Sequence, residues 1–260
     1  MEANELDYLA DRVADLIHQA DRVVVFTGAG ISTESGIPDF RGPDGIWTKF
    51  DPDDFTIQKF MSSREVRKLQ WSMLAGGGLL GDAEPNAAHY AIVELEKLGK
   101  LECIITQNVD NLHQKAGSSP EKVFELHGNM KWVRCMSCDR RVPMEEVVPR
   151  LKEEEVPDCQ VCKGILKPDG VFFGEALPQK ALNDATFHSR HCDLFMVVGS
   201  TIVVYPAAYM PMYARETGAK LVIINLGSTP IDSQATVLIS AKAGETMSKV
   251  IDKLKRRMSS

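Results

Sequence analysis

Hydrophobic and polar residues alternate along the chain in blocks that predict a mixed α/β fold. Short apolar runs, rich in β-branched residues, predict buried strands at residues 22–26, 101–106, 123–126, 194–199 and 221–225. Apolar residues at helical spacing predict helices within residues 1–22, 86–98, 207–217 and 245–258. Because strands alternate with helices, we predict a Rossmann-like, doubly wound parallel sheet.

Two segments interrupt this alternation. Residues 51–82 begin with Asp51-Pro52-Asp53, which can start a helix, and contain Gly76-Gly77-Gly78, which predicts a flexible break. Residues 131–170 hold paired cysteines, four prolines and little periodicity. We therefore predict one discontinuous dinucleotide-binding domain with a helical insert at 51–82 and a small module at 131–170. The domain itself would consist of residues 1–50, 83–130 and 171–260.

Composition narrows the classes of function. The chain has 260 residues, of which 44% are hydrophobic and 25% are charged, as in ordinary globular proteins. A net charge of −6 argues against bulk binding to nucleic acid or to anionic membranes. No apolar run approaches the roughly 20 residues that span a bilayer. The acidic start of the chain lacks the layout of a signal peptide, so we expect a cytoplasmic protein.

Four of the six cysteines form two pairs with metal-site spacing. Cys135 and Cys138, followed after twenty residues by Cys159 and Cys162, predict a tetrahedral zinc site. Four thiolates leave no open coordination position, so the metal would be structural. Two disulfides or redox-active pairs are the alternatives. A nucleic-acid-binding ribbon is disfavoured, because residues 131–170 contain eight basic and eight acidic side chains. Cys103 and Cys192 are expected to be core or near-core thiols.

The first predicted strand runs into Gly28-Ala29-Gly30. A strand followed by closely spaced glycines is where a doubly wound sheet binds a dinucleotide pyrophosphate, with a helix start behind it offering free N–H groups. The next glycine is Gly36, which gives G-x-G-x5-G and not the G-x-G-x-x-G of the dehydrogenase fingerprint. This spacing disfavours hydride transfer.

Polar or small residues also follow three other strands, as Gln107-Asn108-Val109-Asp110, Gly199-Ser200-Thr201 and Asn225. Ligands of open α/β sheets bind beyond the carboxyl ends of the strands, so these ends predict a polar ligand pocket. His127 ends a further strand and precedes a glycine. A histidine titrates near neutral pH, so His127 is a candidate general base.

Ordered motifs carry a family resemblance over residues 23–243. The segments GAGIS-x-x-S-GIPDFR-GP-x-G-x-W, TQNVDNLH, ELHGN, the paired C-x2-C, GVFFGE and VVGST-x-VVYPAA resemble the sirtuins of the bacterial and archaeal single-domain type. Sirtuins are NAD-dependent protein lysine deacylases. The resemblance implies NAD as co-substrate, structural zinc, and acylated-lysine proteins or peptides as substrates.

The resemblance also assigns roles to residues. His127, Asn108 and Asp110 would be catalytic. The residues implied to bind NAD are Gly28, Ala29, Gly30, Ser32, Thr33, Asp39, Phe40, Arg41, Trp47, Gln107, Asn108, Asp110, His127, Gly199, Ser200, Thr201, Asn225, Leu226 and Ala243. The implied substrate strand, along which an acyl-lysine peptide would pair through its main chain, consists of Val171, Phe172, Phe173, Gly174 and Glu175.

A mechanism follows from the same resemblance. Asn108 and Asp110 would hold the nicotinamide carboxamide and strain the glycosidic bond, and the acyl-lysine carbonyl oxygen would attack C1′ of the ribose. His127 would take a proton from the ribose hydroxyls, so that one of them attacks the imidate carbon. Water would then complete the formation of free lysine and O-acyl-ADP-ribose. Phe40 would cover the ribose after nicotinamide leaves, and the glycines between Gly42 and Gly45 suit a loop that orders on NAD binding.

Substrate choice can be predicted in part. Sirtuins that prefer succinyl- or malonyl-lysine carry a Tyr-x-x-Arg pair in the inserted segment, whereas residues 49–82 contain Arg64 and Arg67 but no tyrosine. We therefore expect a preference for acetyl or longer apolar acyl groups. Two alternatives to deacylation stay open from sequence: ADP-ribosyl transfer to protein on the same scaffold, and a zinc-ribbon binding module fused to a non-catalytic nucleotide sensor.

Overall fold

The computed structural model describes residues 2–75 and 81–259. The predicted break at Gly76-Gly77-Gly78 lies outside the described residues. A six-stranded, all-parallel sheet has the order β3-β2-β1-β7-β8-β9. Its strands are β1 (Val23–Thr27), β2 (Leu101–Thr106), β3 (Val123–Glu125), β7 (Leu194–Val198), β8 (Lys220–Ile224) and β9 (Val237–Ile239). The prediction of a doubly wound parallel sheet is confirmed.

Helices cover both faces of this sheet. One face packs against α1 (Ala3–Gln19), α4 (Ala87–Lys97) and α9 (Ala243–Met258). The other face packs against α7 (Gln179–His191) and α8 (Met210–Glu216). Strands that are buried on both faces need continuous apolar runs, which is why the sequence shows them as unbroken segments and not as alternating ones. Strand β1 illustrates this, since all five of its residues are buried.

A second, three-stranded antiparallel sheet has the order β5-β4-β6. Its strands are β4 (Gly128–Cys135), β5 (Arg141–Pro143) and β6 (Leu166–Gly170), and α6 (Met144–Val147) packs against β4. The short helix α5 (Leu112–Ala116) lies between β2 and β3 in the chain. The predicted insert is helical, with α2 (Ile57–Ser62) and α3 (Arg64–Ala75). Trp71 of α3 is buried in the same cluster as Val133 and Leu166, so the insert packs onto the cysteine-containing module. The domain boundaries drawn from sequence remain a prediction.

Two local predictions are wrong. The expected helix after Gly30 is absent, because two short 3-10 turns, Ala29–Ile31 and Thr33–Ser35, take its place. Residues 171–175 do not form a regular strand; only Phe173 makes a single bridge, to Thr56. Within residues 2–75 and 81–259, no helix combines the length and apolar composition that crossing a membrane requires.

Candidate active site

The carboxyl ends of four neighbouring strands meet at one edge of the main sheet. The N–H of Gly30 donates to Gly199 O over 2.8 Å, which joins the loop after β1 to the loop after β7. The side chain of Gln107, just beyond β2, donates to Ser200 Oγ over 2.8 Å. The N–H of Gly199, just beyond β7, donates to the carbonyl of Ile224, the last residue of β8, over 2.9 Å, which places Asn225 beside the loop after β7. The polar strand ends predicted from sequence are therefore neighbours in space.

Glycine is required at this edge because two loops touch each other. Gly199 has φ +65°, and a Cβ atom on it would overlap the backbone nitrogen of Ile31. A Cβ atom on Gly28 would lie 2.8 Å from Gly199 O. Contact between the loops thus accounts for both glycines; for Gly28 the sequence alone suggested close approach of a pyrophosphate.

Asn108, Ser32 and Asp110 form one hydrogen-bonded group. Asn108 Nδ2 donates to Gly28 O over 3.2 Å and to Ser32 Oγ over 3.1 Å, and Ser32 Oγ donates to Asp110 Oδ2 over 2.7 Å. Among the described residues nothing donates to Asn108 Oδ1, so this oxygen can accept from a ligand amide. The donors of this group are all used within it, so Asn108 Oδ1 and the Asp110 carboxylate are left as acceptors that fit the NH2 of a carboxamide. The residues present therefore fit the nicotinamide end of NAD.

His127 lies in the two-residue link between β3 of the main sheet and β4 of the small sheet. Its Nδ1 is 2.9 Å from Gln107 O. Burial lowers the pKa of His127, and the bond to the Gln107 carbonyl raises it in part. The imidazole is therefore neutral near pH 7. A carbonyl oxygen can only accept, so Nδ1 carries the proton and Nε2 is left as a base.

The remaining predicted NAD residues fall into two groups. In the first group, Thr33 Oγ1 donates to Gly30 O over 3.0 Å, and Asp39 Oδ1 accepts from the N–H of Gly42 over 2.7 Å. The rings of Phe40 and Trp47 are 5.2 Å apart.

Arg41, in the same loop as Asp39 and Phe40, makes no hydrogen bond or ion pair within the described part of the chain. The second group flanks the strand ends: Thr201 and Leu226 are exposed, whereas Asn225 and Ala243 are buried.

The predicted substrate segment is held by the chain itself. The N–H groups of Val171, Phe172 and Phe173 donate to His127 O, Glu175 Oε2 and Phe55 O. Pairing of a peptide with these residues is therefore left to carbonyl oxygens such as Val171 O.

The sequence did not indicate Lys167, a buried lysine that contacts residues 170–175. Its side chain is only 4% exposed, and its Nζ is 3.0 Å from Glu175 Oε2. The same nitrogen donates to Gly170 O over 2.6 Å and lies 4.3 Å from the centre of the Phe172 ring. A single lysine gives no sequence signal of burial, since lysines are mostly exposed.

A second group that the sequence did not connect with the site lies buried behind Asn108. The hydroxyls of Thr27 and Thr106 are 2.9 Å apart, and His113 Nε2 is 2.9 Å from Thr27 Oγ1. The ring of His89 packs edge-on against that of His113, with centroids 5.0 Å apart. Threonines at strand ends are common and carry no signal by themselves, so only the fold brings these side chains together.

The four paired cysteines converge as predicted. Their sulfur atoms all lie within 4.8 Å of one another, with Cys135 and Cys162 3.5 Å apart and Cys138 and Cys159 3.9 Å apart. Tetrahedral zinc with bonds of about 2.3 Å places sulfurs about 3.8 Å apart, so the four thiols fit one zinc ion.

Both cysteine loops have the same backbone geometry. Asp139 and Lys163, each directly after the second cysteine of a pair, have φ of 60° and 61°. Their N–H groups donate to the carbonyls of Cys135 and Cys159 over 3.0 and 2.9 Å. These turns fold each C-x2-C so that its two sulfurs face the same point. All six cysteines of the chain are free thiols, so the disulfide alternative is not supported.

Comparison with known proteins agrees with this geometry. The model of the Sir2 family matches residues 28–206. The chain is 44% identical over 246 residues to NAD-dependent protein deacylase 2 of Archaeoglobus fulgidus, covering 94% of this chain and 96% of that protein. It is 43% identical over 246 residues to NAD-dependent protein deacetylase 1 of Pyrobaculum aerophilum, covering 94% of both.

Solved structures are similar over the same length. A complex of Sir2 with a p53 peptide and NAD+ has a TM-score of 0.85 at 40% identity, covering 97% of this chain and 98% of that one. A Sir2 variant with a deacetylated p53 peptide and 3′-O-acetyl ADP-ribose has a TM-score of 0.87 at 41% identity, with the same coverage.

Proposed function

The chain belongs to the Sir2 family, and from this premise we propose that the strand-end site around His127 removes acyl groups from protein lysine side chains. Its activity is NAD-dependent protein deacylation, as in relatives at 44% and 43% identity. The relatives compared above are named deacylases or deacetylases, so ADP-ribosyl transfer to protein is not favoured. NAD supplies the nicotinamide leaving group and the ribose that receives the acyl group.

His127 is proposed as the general base. The single observation that carries this role is the 2.9 Å contact between His127 Nδ1 and Gln107 O, which leaves Nε2 as the basic nitrogen of a neutral imidazole. Burial keeps that imidazole unprotonated near pH 7, because it lowers the pKa of His127. A positioned general base typically contributes about 10²- to 10⁴-fold to a rate.

Asn108 and Asp110 are proposed to hold the carboxamide of nicotinamide. Ser32 fixes both side chains, since it accepts from Asn108 Nδ2 over 3.1 Å and donates to Asp110 Oδ2 over 2.7 Å. A side chain locked in this way loses little freedom on binding, so binding energy is available to orient the ring. We also propose that the other residues assigned by the resemblance bind NAD or the peptide.

An acylated-lysine peptide is proposed to lie along residues 171–175. The ring of Phe173 packs there against that of Trp47, with centroids 6.0 Å apart. Trp47 in turn lies 5.2 Å from the rings of Phe40 and Phe55. These aromatic rings offer an apolar wall to a lysine stem and a small acyl group.

Both candidate arginines already contact other parts of the chain, and no tyrosine accompanies them in residues 49–82. Arg67 donates to Phe60 O over 2.8 Å and to Met61 O over 3.1 Å, so it closes the end of α2. Arg64 is exposed and is 3.8 Å from Glu155. We therefore propose a preference for acetyl or apolar acyl groups over succinyl. Turnover of acetyl- and succinyl-lysine peptides of identical sequence tests this, and a clear succinyl preference would refute it.

A cytoplasmic location is proposed on chemical grounds. Four thiols that bind zinc must stay reduced, and the two further cysteines, Cys103 and Cys192, are also free.

The role of His127 is tested with a matched pair of variants. We expect His127→Ala to keep the fold and NAD binding but to lose nicotinamide release that depends on an acylated peptide. His191 is the control, because its Nδ1 also contacts a backbone carbonyl, Phe187 O at 2.7 Å, but it lies on the surface. His191→Ala should retain full activity. Full activity of His127→Ala would remove His127 from the chemistry.

A further inference from the structure

A buried chain of hydrogen bonds runs from His113 to the peptide group between Gln107 and Asn108. Thr27 and Thr106 are register partners at the ends of β1 and β2, and both are at most 3% exposed. Thr27 Oγ1 donates to Thr106 Oγ1 over 2.9 Å, and the N–H of Asn108 donates to the same Thr106 oxygen over 3.0 Å.

The one available partner of the ring indicates the form of His113. Its Nδ1 is buried without a hydrogen-bond partner in the described structure, whereas its Nε2 is 2.9 Å from Thr27 Oγ1. A proton on Nε2 is donated to Thr27, and a proton on Nδ1 would be buried unsatisfied, so the neutral ring carries its proton on Nε2. Burial lowers the pKa of His113 to about 3, which agrees with a neutral ring.

One rigid peptide group joins this chain to the general base. The N–H of Asn108 and the carbonyl of Gln107 belong to the same planar unit, so neither can turn without the other. The N–H is held by Thr106, and the carbonyl accepts from His127 Nδ1 over 2.9 Å. A rotation of this unit would therefore displace both the Asn108 backbone and the hydrogen bond that sets the His127 tautomer.

We propose that His113 is a positioning residue of the active site: through the hydroxyls of Thr27 and Thr106 it fixes the Gln107–Asn108 peptide group, and through that group it orients His127 and Asn108. The proposal rests on the proposed roles of His127 and Asn108 in deacylation. His113 itself touches neither substrate nor base.

Threonine substitutions separate hydrogen bonding from packing. Thr106→Val keeps the shape but removes the oxygen that accepts from Asn108, whereas Thr106→Ser keeps that oxygen. We expect Thr106→Val to lower kcat for an acetyl-lysine peptide by about tenfold or more, since small misplacements of catalytic groups have effects of this size. Thr106→Ser should remain within about threefold of the wild type by the same reasoning. Thr27→Val and Thr27→Ser repeat the comparison one step further from the site.

The pH profile distinguishes positioning from general loss of structure. Because the Gln107 carbonyl raises the pKa of His127, a loosened carbonyl lowers that pKa. The acidic limb of the kcat profile should therefore move to lower pH in both valine variants and stay in place in both serine variants. A merely destabilised enzyme would lose activity without this shift.

The outcomes are separable. If the wild type releases no nicotinamide with acetylated peptides, the proposed function fails. If the wild type is active and the valine and serine variants behave alike, only the role of His113 is overturned. If the valine variants do not fold, 15N NMR of the wild-type histidines decides. A proton on Nε2 of His113 and on Nδ1 of His127 supports the chain of hydrogen bonds, and a proton on Nδ1 of His113 overturns it.

Discussion

Replacement of Lys167 by methionine tests how the substrate segment is held. In the folded protein the ammonium group contacts Glu175 Oε2 at 3.0 Å and donates to Pro168 O and Gly170 O over 3.0 and 2.6 Å. Glu175 Oε2 in turn accepts from the N–H of Phe172 over 2.6 Å. Lys167→Met keeps most of the buried stem but removes the ammonium group, so the two carbonyls lose this donor and the Glu175 carboxylate keeps only its bond from the N–H of Phe172.

The expected loss of stability is large for a single lysine. Removing one partner of a buried ion pair costs about 3–5 kcal/mol, because the remaining charge is left without compensation. The Glu175 side chain is 19% exposed and keeps its bond from Phe172, so we expect the lower end, about 3 kcal/mol. Neutralising the carboxylate as well, in Lys167→Met/Glu175→Gln, should recover about 1–2 kcal/mol of this.

Urea unfolding of the single and double variants measures these differences, and the KM for an acetyl-lysine peptide should rise in Lys167→Met. Lys180→Met is the matched control: Lys180 also pairs with a carboxylate, Asp184, but its side chain is 90% exposed. Its stability should equal that of the wild type within error. The reasoning is refuted if Lys167→Met is as stable as Lys180→Met, or if the double variant shows no recovery.

Three further predictions follow from buried groups. Burial lowers the pKa of His89 to about 4 and that of His113 to about 3 from the usual 6.5, so below about pH 6.5 the unfolded chain takes up protons that the folded chain does not. As the pH is lowered from about 6.5 to about 4, the free energy of unfolding should therefore decrease by at most about 1.4 kcal/mol per pH unit for each histidine. Unfolding curves that coincide over this range would contradict this expectation. Trp71 is buried in the cluster that contains two of the cysteines, so chelation of zinc should shift its fluorescence and added zinc should restore it. An unchanged spectrum after stoichiometric removal of the metal would argue against a structural role of zinc. Gly199→Ala should lower the free energy of unfolding by about 2 kcal/mol more than Gly218→Ala does. Both glycines have positive φ, but only at Gly199 would the new Cβ meet backbone atoms. Equal losses of stability in the two variants would disprove the close contact between the loops.

The main sheet could be predicted from sequence because its strands are continuous apolar runs. The run at 194–199 matches β7 (Leu194–Val198), and the run at 101–106 matches β2, both buried between layers of helices. The small sheet was missed because β4 carries no regular apolar pattern: its buried residues are Asn129, Val133 and Cys135, and Lys131 between them is exposed. Its shape depends on the two cysteine turns at Asp139 and Lys163, which periodicity does not report.

From sequence, only those residues of the site that lie within one recognisable motif could be predicted. Asn108 and Asp110 stand out as polar residues after a strand. Thr27, Thr106 and His113 do not, because their contact joins positions 79 and 86 residues apart in sequence. The pairing of β1 with β2 creates this contact. The sequence of a strand that ends in threonine does not show whether the hydroxyl contacts a second threonine.

Quantification of all products from one reaction of the wild-type protein with NAD and an acetyl-lysine peptide tests the central claim most directly. Mass spectrometry should find one nicotinamide and one O-acetyl-ADP-ribose for every lysine freed, with each product absent when NAD is omitted. Free acetate released without nicotinamide, or ADP-ribose attached to protein in place of a freed lysine, would contradict it.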